Sequence, residues 1–255
     1  MAELVLDGLQ VAYRGRTVVH GVDAVLRPSR IVGLIGESGS GKTSIGRVVA
    51  GLQPASAGRL VWREDAPGGT ASDRRRARTR VQMVFQDPSL ALNPLRTIDS
   101  VLRELLRRTR PRRSAAERET ALNDLLESVA LTPELARRRP GHLSGGQRQR
   151  AAIARALAVD PEVLVADEPT SALDVSVQAE ILELLDELAR RQGLAIVLIT
   201  HDLRVVERLA DEVIVLEQGR VQEQGAVADV LRRPTSAYTR ALIDAVPRLD
   251  GGAHR

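Results

Sequence analysis

Apolar residues along this chain follow two different periods, and the fold class can be read from where one gives way to the other. Residues 4–13 and 17–26 alternate apolar and polar positions across Arg14, Gly15 and Arg16, which predicts antiparallel strands joined by a turn. Residues 31–35 are apolar without interruption and run into a glycine-rich loop, after which a helix is predicted over about 42–52. Strands are expected again at 59–62 and 81–85, with a polar, arginine-rich connection between them. From about residue 96 to 158 the spacing turns helical: Ile98, Val101, Leu102, Leu105 and Leu106 share one face, as do Leu122, Leu125, Leu126 and Val129. Buried-strand patterns return at 163–166 and 195–199 on either side of an amphipathic helix over 175–191. A hairpin at Gln218-Gly219 and two short helices, near 226–232 and 237–245, complete the chain. This order predicts a parallel α/β sheet preceded by an antiparallel β unit and interrupted by a helical lobe.

Composition narrows what such a fold can do. At 255 residues and 43% hydrophobic, the chain can bury one large core or two small ones, and its 27% charged residues argue against disorder. Residues 1–13 show neither the basic head nor the apolar stretch of a signal peptide. The longest apolar run, residues 194–199, is far shorter than the ~18 residues of a membrane helix. A cytoplasmic address is expected, and any membrane function needs a partner. With no cysteine, disulfides, thiolate zinc sites and cysteine nucleophiles are excluded. The arginine clusters at 74–76, 107–113 and 137–139 are interspersed with acidic residues, and the net charge is only +4. They read as solvated surface, and so sparse an aromatic content leaves no stacking platform for RNA; no nucleic-acid partner is expected. Of the 37 lysines and arginines a single one is lysine, Lys42. A compact ammonium can meet a phosphate as a point charge, a role that the planar guanidinium fills poorly.

Lys42 belongs to Gly36-Glu37-Ser38-Gly39-Ser40-Gly41-Lys42-Thr43, a complete P-loop that follows a strand and opens a helix. Its backbone N–H groups can converge on phosphate oxygens at a helix N-terminus, with Ser44 among the nucleotide contacts. Lys42 is expected to bridge the β- and γ-phosphates and the Thr43 hydroxyl to ligate Mg²⁺. Residues 163–168 form a buried strand ending in Asp167 and Glu168, expected beside the P-loop strand in a doubly wound sheet. Asp167 is a candidate Mg²⁺ ligand, and Glu168 a candidate base for the attacking water. Gln86 and His201 each end a strand; Gln86 could touch Mg²⁺ or the water and His201 the γ-phosphate, although each is also an ordinary polar terminus. Leu143-Ser144-Gly145-Gly146-Gln147 opens a helix and makes a second anion cradle, which one nucleotide seldom needs from one subunit. A plain serine-capped helix is the alternative for that segment.

Taken together, the P-loop, Gln86, the 143–147 segment, Asp167-Glu168, Ser171-Ala172-Leu173-Asp174 and His201 resemble the ABC ATPase family in its motif order over nearly the whole chain. The resemblance implies a P-loop NTPase core with an N-terminal antiparallel β subdomain and an inserted α-helical subdomain. It divides one domain, 1–255, into a nucleotide-binding core (1–87 and 159–223), a helical subdomain (88–158) and a C-terminal helical extension (224–255). It implies that two subunits, identical or paralogous, sandwich two ATP molecules, each between one P-loop and the other subunit's Ser144, Gly145, Gly146 and Gln147, with Asp174 in the shared site. It also makes Tyr13 a platform for adenine, where the alternative is a strand residue packed on the core. Residues 81–88, Leu92-Asn93-Pro94, Tyr238-Thr239-Arg240-Ala241-Leu242 and Ala245-Val246-Pro247 are similar to ATPases of oligopeptide, dipeptide and nickel importers. Here Ala91 replaces the usual serine, Ser236-Ala237 replaces the usual His-Pro, and no cysteine-bearing extension follows Pro247. The expected partners are transmembrane permease subunits and, indirectly, an extracytoplasmic solute-binding protein, which places the chain on the inner face of the membrane. Exposed members of Leu90, Leu92, Leu95 and Ile98 are candidates for the permease contact. Two other readings stay open: a soluble ATPase serving a carbon–phosphorus lyase complex, and a non-hydrolysing regulatory partner.

Overall fold

The computed structural model describes residues 2–63 and 80–245. The arginine triplet at 74–76 and the Val246-Pro247 pair lie outside the described residues. Strand β1 (Glu3–Tyr13) organises a four-stranded antiparallel sheet. The stretch expected as one partner strand is divided into β2 (Arg16–His20) and β3 (Ala24–Leu26), which pair with the C-terminal and N-terminal halves of β1. The division falls at Asp23, whose carboxylate accepts the Gly8 amide at 2.7 Å. A further strand, β5 (Ala57–Arg63), also pairs with β1.

The second sheet contains β4 (Ile31–Ile35), β6 (Val81–Val84), β7 (Val163–Asp167), β8 (Ala195–Ile199), β9 (Glu212–Glu217) and β10 (Arg220–Ala226). Its order is β10-β9-β4-β8-β7-β6, parallel except at β10, which folds back through the hairpin at Gln218-Gly219. The strand that carries the two carboxylates is therefore not beside the P-loop strand: β8 separates β7 from β4. The reason is the crossover after β7, which runs through the helix 175–192 and returns the chain as β8 between β7 and β4.

Helix α1 (Lys42–Val49) is eight residues long, too short to persist alone. It forms because Ile45, Val48 and Val49 are buried between the two sheets, against Leu4, Leu6 and Val165 among others. Each such side chain contributes about 1.5–3 kcal/mol on burial. The expected extension of this helix to residue 52 is not seen, and Leu52 is largely exposed. The helical insert consists of α2 (Ile98–Thr109), α3 (Ala115–Ser128), α4 (Pro133–Ala136) and α5 (Gly145–Leu157). Thr97, Ser114, Thr132 and Ser144 cap these helices with their hydroxyls, so each start is written locally. Ile98, Leu102, Leu106, Leu122 and Leu126 meet Ile153 and Leu164 in one core on the opposite face of the parallel sheet, together with α6 (Val175–Gln192). The remaining helices are α7 (Leu203–Leu209), α8 (Val227–Arg232) and α9 (Ala237–Asp244).

One carboxylate ties three of these elements. Asp211, just before β9, accepts from the Ile31 amide at 2.8 Å, from Arg30 Nη1 at 2.8 Å and from Arg190 Nη1 at 2.9 Å. Burial alone would raise this carboxyl, but the hydrogen bonds from Arg190, Ile31 and Arg30 outweigh it and hold the group below the ordinary aspartate value. A depressed folded value means the stabilisation is complete above the unfolded pKa of about 3.9 and is lost as pH falls through the folded one. Because both arginines are exposed enough for water to screen them, Asp211→Asn should cost only about 1 kcal/mol. That corresponds to a thermal midpoint lower by roughly 2–4 °C at pH 7. Differential scanning calorimetry should show the gap between parent and variant closing as the pH is taken below 4, in the range where Asp211 protonates.

Candidate functional site

Between β4 and α1 the chain turns sharply enough to point backbone groups inward. Gly36 sits at φ 144°, and a Cβ on it would lie 2.0 Å from the Leu216 carbonyl oxygen of β9. Only glycine fits there. The hairpin turn holds the loop a second time, because the Gly219 amide donates to the Ser40 carbonyl at 3.0 Å. Within this loop Lys42 is buried, and its Nζ donates to the carbonyls of Gly36 and Glu37, each at 2.8 Å. Burial pushes the Lys42 ammonium below its ordinary pKa, while the charges of Glu168 and Asp167 work the other way. Ser38 and Gly39 are exposed at the tip of the loop, Ser40 is buried, and Gly41 is the last residue before α1.

At the first turn of α1 the Thr43 hydroxyl donates to Asp167 Oδ1 at 3.2 Å, across the intervening β8. Asp167 is buried, and burial raises its carboxyl above the ordinary value; Glu168 adds to this, whereas Thr43, Arg47 and Lys42 oppose it. The next residue, Glu168, leaves the strand at φ 44°, an uncommon conformation for a residue with a side chain, and its amide donates to the Ile199 carbonyl at 2.9 Å. This turn aims its carboxylate at two other strand ends. Gln86 Nε2 donates to Glu168 Oε2 at 3.2 Å, and His201 Nδ1 lies 3.2 Å from Glu168 Oε1. Gln86, Glu168 and His201, successively 82 and 33 positions apart in sequence, thus meet at the C-terminal ends of β6, β7 and β8.

The 143–147 segment stands elsewhere. Ser144 caps α5 in a reciprocal box: its Oγ accepts the Gln147 amide at 3.2 Å, and Gln147 Oε1 accepts the Ser144 amide at 3.0 Å. The hydroxyl hydrogen stays available to donate. Its glycines pack on the loop and helix that follow β7: a Cβ on Gly145 would lie 3.2 Å from Leu173 Cδ2, and one on Gly146 2.4 Å from Val177 Cγ1. Asp174 caps α6, accepting from the Val177 amide at 3.0 Å and from Ser176 Oγ at 2.7 Å. Its contacts in this chain are therefore those of a helix cap.

Tyr13 is 40% exposed and its ring borders a cleft of about 550 Å³ lined also by Arg47, Leu52 and Gln53. Its hydroxyl donates to Gln53 Oε1 at 2.6 Å and lies 3.2 Å from Ser44 Oγ. Neither Gln53 nor Tyr238, whose hydroxyl accepts the Glu37 amide at 3.1 Å, was expected at the site. No local pattern announces either contact, because the partners lie 40 and 201 positions apart.

If Lys42 serves phosphate from this cradle, Lys42→Ala should weaken nucleotide binding and abolish hydrolysis. The two carbonyls are placed for a compact ammonium, so Lys42→Arg should also lose most of both. Fluorescent-nucleotide titration and phosphate release check this, and an arginine variant with parental turnover would contradict it.

The family profile described as ABC transporter matches residues 19–171. The oligopeptide transport ATP-binding protein OppF of Salmonella typhimurium is 40% identical over 238 residues, covering 93% of this chain and 71% of OppF. Among solved structures, cbiO1 from Clostridium perfringens, part of the ABC transporter complex cbiONQ, has a TM-score of 0.78 at 27% identity, with 90% of each chain covered. An ATP-binding cassette solved as a dimer in a post-hydrolysis state with ADP and phosphate has a TM-score of 0.73 at 29% identity, covering 88% of this chain and 98% of that one.

Proposed function

Because the chain belongs to the ABC transporter family of ATP-binding proteins, we propose that its ATP hydrolysis powers an importer of peptides or of a related small solute such as a nickel complex. The chain is an ATPase of that family. The peptide cargo is suggested by the oligopeptide transport protein to which it is similar. The reading of the site is carried by one observation: Gln86 and His201 converge on the Glu168 carboxylate at the end of β7, next to Asp167, which is joined to the P-loop through Thr43.

In this reading the adenine lies against the Tyr13 ring, and the phosphates lie along residues 36–44. Lys42 exchanges its two carbonyl partners for β- and γ-phosphate oxygens. Thr43, Asp167 and Gln86 supply the hard oxygen donors that suit Mg²⁺, which when bound offsets charge on the phosphates. Glu168 takes a proton from the attacking water as the water oxygen bonds to the γ-phosphorus and the bond to the β-bridging oxygen breaks. His201 steadies the γ-phosphate. Ser144, with its hydroxyl hydrogen free, Gly145, Gly146, Gln147 and Asp174 serve the nucleotide of a second ATPase subunit.

The same reading makes 1–87 and 159–223 the nucleotide-binding core of one domain, 88–158 a helical subdomain and 224–255 an extension. No helix among the described residues is long and apolar enough to cross a membrane. In this reading the motor works from the cytoplasmic, inner face of the membrane on permease subunits, which an extracytoplasmic solute-binding protein supplies. Leu90 and Leu95 are 72% and 77% exposed just after Gln86, while Leu92 and Ile98 are buried, so the first two are the residues offered to a permease. Co-purification of permease subunits supports this assignment, whereas recovery in a soluble carbon–phosphorus lyase complex would replace it.

Glu168→Gln keeps the size and some hydrogen bonding but removes the base, so turnover should fall by about 10²- to 10⁴-fold with ATP affinity barely changed. Uncleaved ATP should then hold two subunits together as an ATP-dependent dimer on size exclusion. Adding Ser144→Arg should abolish that dimer. Parental turnover in Glu168→Gln would remove the assigned base, and a dimer that survives Ser144→Arg would remove the shared site.

A further inference from the structure

Tyr238 reaches the phosphate loop from the other end of the chain. Its phenolic oxygen accepts a 3.1 Å hydrogen bond from the Glu37 amide. The same peptide unit carries the Gly36 carbonyl, which accepts from Lys42 Nζ at 2.8 Å. A single peptide plane therefore has Tyr238 at its N–H and Lys42 at its C=O. On the Gly36 side the plane is already confined by the Leu216 carbonyl, which leaves no room even for a Cβ.

The helix that delivers the phenol is itself fixed. Glu223 of β10 accepts from the Thr235 amide at 2.8 Å, from Thr235 Oγ1 at 2.9 Å and from the Ser236 amide at 3.1 Å, which sets the start of α9. Thr239 is fully buried, and Tyr238 and Leu242 pack on a cluster that includes Ile35, Val215 and Val227. Ile35 is the residue immediately before Gly36. Both the packing and the hydrogen bond of α9 thus bear on the entry to the loop.

We propose that Tyr238 is a positioning residue for ATP binding: it holds the 36–37 peptide so that the Gly36 carbonyl keeps the Lys42 ammonium aimed into the phosphate loop. The inference rests on the reading of residues 36–44 as the ATP phosphate site. Tyr238 touches no substrate in this scheme. Without its oxygen the peptide can tip, and Lys42 starts from a broader set of positions. The cost falls on nucleotide binding, because the carboxylate that acts on water sits on a different strand, β7.

Tyr238→Phe tests this, since it keeps the ring and its packing and removes only the acceptor. Loss of one such hydrogen bond should raise the Kd and KM for ATP by about 2- to 10-fold. The kcat should stay at the parental value, and the thermal midpoint of the nucleotide-free protein should fall by no more than the roughly 2–4 °C that one exposed hydrogen bond accounts for. GTP should lose affinity by the same factor as ATP, because the restraint acts at the phosphate end and not at the base. Parent and variant are measured side by side with both nucleotides. A parent that binds no ATP overturns the ATPase reading together with this proposal. A parent that binds while the variant binds equally well overturns the proposal alone, and so does a variant whose kcat falls along with its affinity.

Discussion

The Lys42 ammonium is buried on two carbonyls of its own loop, Gly36 O and Glu37 O, each 2.8 Å away. A buried cation must be paired, and these carbonyls satisfy it only while the loop keeps its shape. The shape is held from outside the loop. The Leu216 carbonyl excludes any residue but glycine at position 36, the Gly219 amide takes the Ser40 carbonyl, and Tyr238 takes the Glu37 amide. Three elements that follow the parallel sheet's last crossover therefore converge on one turn near the start of the chain. Phosphate oxygens are better partners for the ammonium than neutral carbonyls, so ATP can replace them without reshaping the loop.

Sheet order explains how the chemistry is divided around this loop. Placing β8 between β4 and β7 sets Thr43 and Asp167 at hydrogen-bonding distance across a strand, and leaves Glu168 one residue further on. Adjacent carboxylates then have different surroundings. Asp167 is buried against Thr43, whereas Glu168 turns out through a left-handed residue to meet Gln86 and His201. One is suited to hold a cation, the other to act on water.

Much of this was legible because it is local. The P-loop, the cap at Ser144, the hairpin at Gln218-Gly219 and the apolar faces of α2 and α3 are each written within a few residues. What was missed depends on pairings between distant segments. The order of β4, β8 and β7 depends on a crossover that periodicity does not specify, and the break between β2 and β3 on a hydrogen bond from Gly8 to Asp23. The same holds for Gln53 against Tyr13 and Tyr238 against Glu37, where an ordinary polar residue gains its role only from its partner. Exposure likewise needed the fold: of four apolar residues after Gln86, the structure buries Leu92 and Ile98 and leaves Leu90 and Leu95 out.

Since Lys42 is the single lysine of the chain, carbon-13 labelling of lysine yields one side-chain ε-methylene resonance that reports on this ammonium alone. Followed by NMR as a function of pH, that resonance should titrate below the ordinary lysine value of about 10.4 in the nucleotide-free protein, as burial requires. Saturating ATP should shift it and move its titration upward, as phosphate oxygens replace the two carbonyls. A resonance that titrates at the ordinary value, and that ATP leaves in place, would contradict the account.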